Sequence, residues 1–182
     1  MKKKLVFGLL LTLVIAAGLG AQEKKMAAGL DVMPLFKGFI WWESDAKNSL
    51  VALSPSFEYL IAPHYTIGGT ADLWIGEASS ISAFYLGLIV HGRWYPLSEG
   101  LDKLFLDAGL GFNALLIDGK TDAGRGGFAG LTISLKAGWK HLFGQRLYVE
   151  PSMAYVYSKE SSRTSVPTPL GWQPGLTVGM TF

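Results

Sequence analysis

The strongest constraint in this sequence is an alternation of period two that recurs along almost its whole length. Large apolar residues take every second position in eight segments, running roughly over residues 28 to 42, 49 to 62, 65 to 76, 81 to 95, 104 to 117, 128 to 140, 147 to 158 and 171 to 182. Successive side chains of a strand point to opposite sides, so the pattern predicts eight strands with two unlike faces. Each segment is near the length that a tilted strand needs to cross a bilayer. Turn-forming pieces such as "APHY", "PLSEGLDK", "DGKTDAGRGG" and "KESSRTSVPTPLG" separate them.

The two faces differ in charge. One carries Leu30, Val32 and Phe36, then Val51, Phe57, Ile67, Ile75, Leu88, Val90, Leu110, Phe112, Leu131, Ile133, Val149 and Met153, with no charged residue among them. The other carries Asp31, Lys37, Glu58, Asp72, His91, Arg93, Asp107, Lys136, Lys140 and Glu150, set among Gly, Ser, Thr and Ala. An eight-stranded barrel has an interior just wide enough for modest side chains. Several dozen bulky residues do not fit inside it, whereas the small and charged set does. The bulky face is therefore expected to meet lipid, where a Lys or Arg at mid-bilayer would cost about 2–4 kcal/mol. The expected fold is all-β, an eight-stranded antiparallel transmembrane up-and-down barrel.

Composition fits that expectation, with 49% hydrophobic and 16% charged residues, against about 25% charged in soluble domains. Met1-Lys2-Lys3-Lys4 followed by the apolar run Leu5 to Leu19 reads as a secretory signal peptide over 1–21, leaving 22–182 as the barrel. Removing those three lysines from the 16 basic residues leaves 13 against 14 acidic ones, so nothing favours nucleic acid. Cysteine is absent, which excludes disulfides, thiolate chemistry and an acylated cysteine. With both termini on the periplasmic side, "APHY", "PLSEGLDK" and "HLFGQR" become inner turns, and residues 43–48, 77–80, 118–127 and 159–170 become outer loops. Tryptophans are expected as headgroup-level belts, with Trp41, Trp42, Trp74 and Trp172 at one level and Trp94 and Trp139 at the other.

The last strand, with Trp172, Leu176, Val178, Met180 and a final Phe182, resembles the C-terminal assembly signal of bacterial outer-membrane barrels. The pattern as a whole resembles the small OmpA/OmpX/OmpW-type barrels. That resemblance implies the outer membrane of a diderm bacterium, with its lipids and the barrel-insertion machinery as partners, and a monomer. The lipid A deacylases of the outer membrane use an H-x-S spacing, which His64-Tyr65-Thr66, His91-Gly92-Arg93 and His141-Leu142-Phe143 do not match. No catalytic residue, cofactor or metal site is expected.

Buried charges must be paired, so Asp31, Lys37, Glu58, Asp72, His91, Arg93, Asp107, Lys136 and Glu150 are expected to form a polar network that plugs the lumen. Toward the outer end the inward residues turn apolar, at Phe39, Trp41, Leu50, Trp74, Tyr85 and Leu115. Pro34, Pro55, Pro151 and Pro174 fall in the first, second, seventh and eighth segments, which become neighbours on closure, and each removes a ladder donor. Local bulges account for them. The sharper expectation is a lateral seam through which a small hydrophobic molecule leaves the barrel, as proposed for OmpW-type barrels. The role expected is structural or at the surface, with passage of such solutes; the rivals are a surface adhesin acting through the outer loops and, behind it, a lipid-modifying enzyme.

Overall fold

The computed structural model describes residues 25–34, 49–78, 81–119, 126–144, 146–160 and 171–182. They form eight strands: β1 (Met26–Asp31), β2 (Ser49–Ala62), β3 (Tyr65–Ala78), β4 (Ile81–Trp94), β5 (Lys103–Gly119), β6 (Gly126–Phe143), β7 (Leu147–Glu160) and β8 (Gly171–Thr181). Each pairs antiparallel with its neighbours in sequence, and β1 pairs with β8, so the sheet closes into a barrel. Closure satisfies the backbone without leaving an open sheet edge, the condition for crossing a membrane with strands. Among the described residues no helix is long and apolar enough to cross a membrane.

The period-two pattern sorts as its chemistry requires. Leu131 is 73% exposed, Leu110 68% and Val90 63%, and Leu88, Phe112 and Ile133 also face outward. Glu58, His91, Arg93, Asp107, Lys140 and Glu150 are buried inside. A surface this apolar over a charged interior inverts the arrangement of a water-soluble domain. Hydrocarbon is the solvent it suits.

Three expectations are corrected. The first strand was expected to run to residue 42; its ladder ends at Asp31, Met33 and Pro34 are helical, and residues 35–42 lie outside the described residues. Pro34 therefore lies beyond β1 and not within it. Trp74, expected both at the headgroup level and among the inward apolar residues, takes the inward place and leaves the belt: it packs against Tyr85, ring centroids 5.1 Å apart, because even-numbered residues of β3 face inward. Trp94, Trp139 and Trp172 are exposed on the outer surface.

The four prolines also do not converge on one seam. The β2–β3 register skips across Ser54 and Pro55, while β1–β2 runs unbroken through Leu30↔Pro55. Likewise β6–β7 skips across Pro151, while β7–β8 runs unbroken through Pro151↔Leu176 and Met153↔Pro174. The donors missing at Pro55 and Pro151 thus faced β3 and β6. Only Pro34 and Pro174 stand beside the β1–β8 closure. The leader 1–21, Phe36, Lys37, Phe39, Trp41, Trp42, the outer loop 43–48, and residues 79–80, 120–125 and 161–170 of the other three outer loops lie outside the described residues.

Candidate functional site

The short-turn end of the lumen is filled by an ionic lattice whose members come from six consecutive strands. Arg93 and Asp107 are register partners on β4 and β5, and Arg93 Nε donates to Asp107 Oδ2 at 2.6 Å. The same guanidinium donates through Nη1 to Glu150 Oε2 at 2.8 Å and to Glu58 Oε2 at 3.2 Å. Lys140 Nζ donates to Glu58 Oε2 and lies 3.5 Å from Glu150 Oε2. Thr66 Oγ1 donates to Glu58 Oε1 at 2.7 Å. His91 Nδ1 sits 3.0 Å from Asp107 Oδ2, off the line of a hydrogen bond.

Arg93 thus pairs with all three carboxylates, and Lys140 with Glu58 and Glu150. Lys136, half-buried and in register with Asp107, adds a third positive charge beside them. Full burial of so many ions is tolerated only because each finds a counter-charge.

Aromatic rings close the lattice from below. Arg93 stacks 4.3 Å from the Phe105 ring centroid, and Lys140 lies 4.6 Å from that of Tyr148. Tyr95, just past the end of β4, donates its hydroxyl to Glu58 Oε1 at 2.6 Å. Burial first, and then the neighbouring Glu58 carboxylate, push this hydroxyl well above the usual phenol range, so it stays a donor. The turn that carries it folds under the barrel: Leu101 packs with Ala27 and Tyr148, and Tyr95 N–H bonds His64 O at 2.8 Å. Tyr95, Phe105 and Lys140 are all 0% exposed, so nothing passes axially through this level.

Above the lattice the lumen opens into a cavity of about 60 Å³, several times the space one water needs. Its wall includes Asp31, Asp72, Trp74, Tyr85, Thr132 and Gln173, and it reaches the closure through Met33, Pro34 and Pro174. Here β1 has ended. Asp31 Oδ1 accepts the Leu176 N–H at 3.1 Å and the Met33 N–H at 2.9 Å, while Val32 N–H bonds Leu176 O at 2.9 Å. The next donor of β8 on that edge would belong to Pro174, which has none. The edge is thus capped by a carboxylate and blunted by a proline, with no strand beyond Asp31 among the described residues.

Of the expected network, Glu58, His91, Arg93, Asp107 and Glu150 meet in the lattice, with Lys136 at its margin. Asp31 and Asp72 instead line the cavity. Lys140, expected only to face inward, is the lattice's second cation. Thr66 and Tyr95 were not expected there; strand parity identifies Thr66, whereas nothing in the alternation marks Tyr95, which lies beyond its strand. In β8, Trp172 and Val178 are exposed, but the terminal Phe182 is buried.

The fold and this interior define a transmembrane β-barrel whose lumen is closed at the short-turn end. No protein-family model matches the chain, and none of the curated proteins matches it. Among solved structures the chain is similar to the outer membrane protein OprG from Pseudomonas aeruginosa, at 11% identity and a TM-score of 0.43, covering 87% of this chain and 93% of that one.

Proposed function

We propose that the protein is an integral outer-membrane barrel of a diderm bacterium, of the OmpA/OmpX/OmpW type, with a structural or surface role and no enzymatic activity. It admits small hydrophobic molecules from the outer mouth and releases them sideways into lipid beside Asp31, Met33, Pro34 and Pro174. One observation carries this reading: the axial route is stopped by fully buried ion pairs, while the cavity above them reaches the place where β1 stops pairing with β8. The short turns then face the periplasm, and Trp172, Leu176, Val178, Met180 and Phe182 serve as the strand read by the insertion machinery.

The chain has no cysteine, so Met33→Cys and Pro174→Cys can be introduced together and joined by a reversible bis-thiosulfonate reagent. Uptake of an apolar dye into liposomes carrying the protein should fall to the level of empty liposomes on cross-linking and return on reduction. Uptake indifferent to the cross-link, or ion conductance in planar bilayers, would overturn the reading.

A further inference from the structure

Two residues of the cavity wall each carry a buried polar atom with no hydrogen-bond partner among the described residues: Trp74 at Nε1 and Thr132 at Oγ1. Thr132 is 3% exposed. A buried donor left unpaired is expensive, and sequence economy would have put Phe and Val here. The neighbouring polar groups do use their capacity, since Ser158 Oγ donates to Asn113 Oδ1 at 3.1 Å. An indole N–H can only donate, and a hydroxyl can donate as well as accept. The remaining wall combines Tyr85, Ile89, Met33, Pro34 and Pro174 with the carboxylates Asp31 and Asp72.

We infer that this cavity is a binding site for a small uncharged solute bearing an oxygen acceptor, of the ketone, ether or ester class. Trp74 Nε1–H and the Thr132 hydroxyl donate to that oxygen, and the apolar wall covers its hydrocarbon part. A pure hydrocarbon leaves both donors unpaired. A carboxylate meets Asp31 and Asp72. The inference gives a chemical class to the solute of the proposed lateral passage and rests on that same cavity, though binding itself needs no exit.

The test reads binding where the donor sits. The barrel, labelled with nitrogen-15 at tryptophan and held in detergent micelles, is titrated with 2-butanone, with pentane and with propionate. The Trp74 indole resonance, assigned as the one missing from Trp74→Phe, should shift saturably with 2-butanone. Thr132→Val should weaken that response by up to about tenfold, the worth of one net hydrogen bond. Pentane and propionate should leave the resonance in place. An equal response to pentane, a response to propionate, or no saturable shift with any solute, as for a cavity holding water only, overturns the inference. Should a variant fail to fold, the comparison of three solutes on the unaltered protein still decides it. Dye passage without a Trp74 response would leave lateral release standing and remove this site; a Trp74 response without passage would do the reverse.

Discussion

Arg93 and Asp107 face each other across the β4–β5 ladder, with 2.6 Å between Arg93 Nε and Asp107 Oδ2. Through Nη1 Arg93 also ties β2 and β7 to this pair, by way of Glu58 and Glu150. One side chain thus braces opposite walls of the barrel.

Replacing Arg93 by methionine keeps much of the volume but leaves Glu58 and Glu150 to Lys140 and takes from Asp107 its guanidinium partner. Breaking a buried pair in this way costs about 3–5 kcal/mol, so the variant should unfold from lipid vesicles at markedly lower urea. Arg93→Lys should recover part of the loss, because it restores charge without the planar fork. An Arg93→Met midpoint equal to that of the unaltered protein would show that the lattice does not brace the barrel.

Tyr95 sets an alkaline limit on stability. Its hydroxyl is held above its ordinary value by burial and then by Glu58, so the folded chain keeps a proton that the unfolded chain releases above about pH 10. The unfolded state binds fewer protons there, and stability falls as pH rises. Below that range the contribution is fully present. Tyr95→Phe lacks the proton and should show a flatter decline between about pH 10 and 11, measured as urea midpoints in vesicles. Parallel slopes for the two proteins would exclude Tyr95 as the source.

Much of this was legible in the alternation, and the exceptions have identifiable causes. Parity correctly assigns Leu88 and Ile133 to lipid and Glu58, Arg93 and Glu150 to the lumen, because a strand's two faces are fixed by its period. Parity says nothing about pairing, however. Among the described residues the β1 ladder ends at Asp31, where a carboxylate takes the Leu176 N–H in place of a backbone carbonyl. The direction of each missing proline donor depends on register, which the alternation does not contain, so it places Pro55 and Pro151 with Pro174 although their gaps face β3 and β6. Tyr95 enters the lattice from a turn, beyond the reach of any strand pattern.

The cap at the end of β1 makes its own prediction. Asp31→Ala removes the acceptor of both Leu176 N–H and Met33 N–H, a loss of about 1–3 kcal/mol where the freed groups stay dry. The Leu176 amide should then exchange with solvent deuterium faster than amides of the unbroken β4–β5 ladder, which should be unaffected. Asp31→Asn retains an oxygen acceptor and should restore much of the protection. Unchanged Leu176 exchange in the alanine variant would mean that the carboxylate does not hold this edge.

The orientation of the sheet, bulky side outward, is the premise shared by all of these arguments, and depth in the bilayer tests it. Leu110 lies near the middle of β5 and Leu147 at the short-turn end of β7, and both are exposed on the outer surface. In a hydrocarbon layer, arginine at the midplane costs about 2–4 kcal/mol and near the interface about 0–1 kcal/mol. Leu110→Arg should therefore lower the stability of the barrel in vesicles by the larger amount and Leu147→Arg by the smaller. In water the same substitutions would be nearly neutral, because an exposed arginine there loses no hydration. The two variants consequently separate lipid from water as the solvent of this face, and equal small effects at both positions would place the barrel outside the membrane.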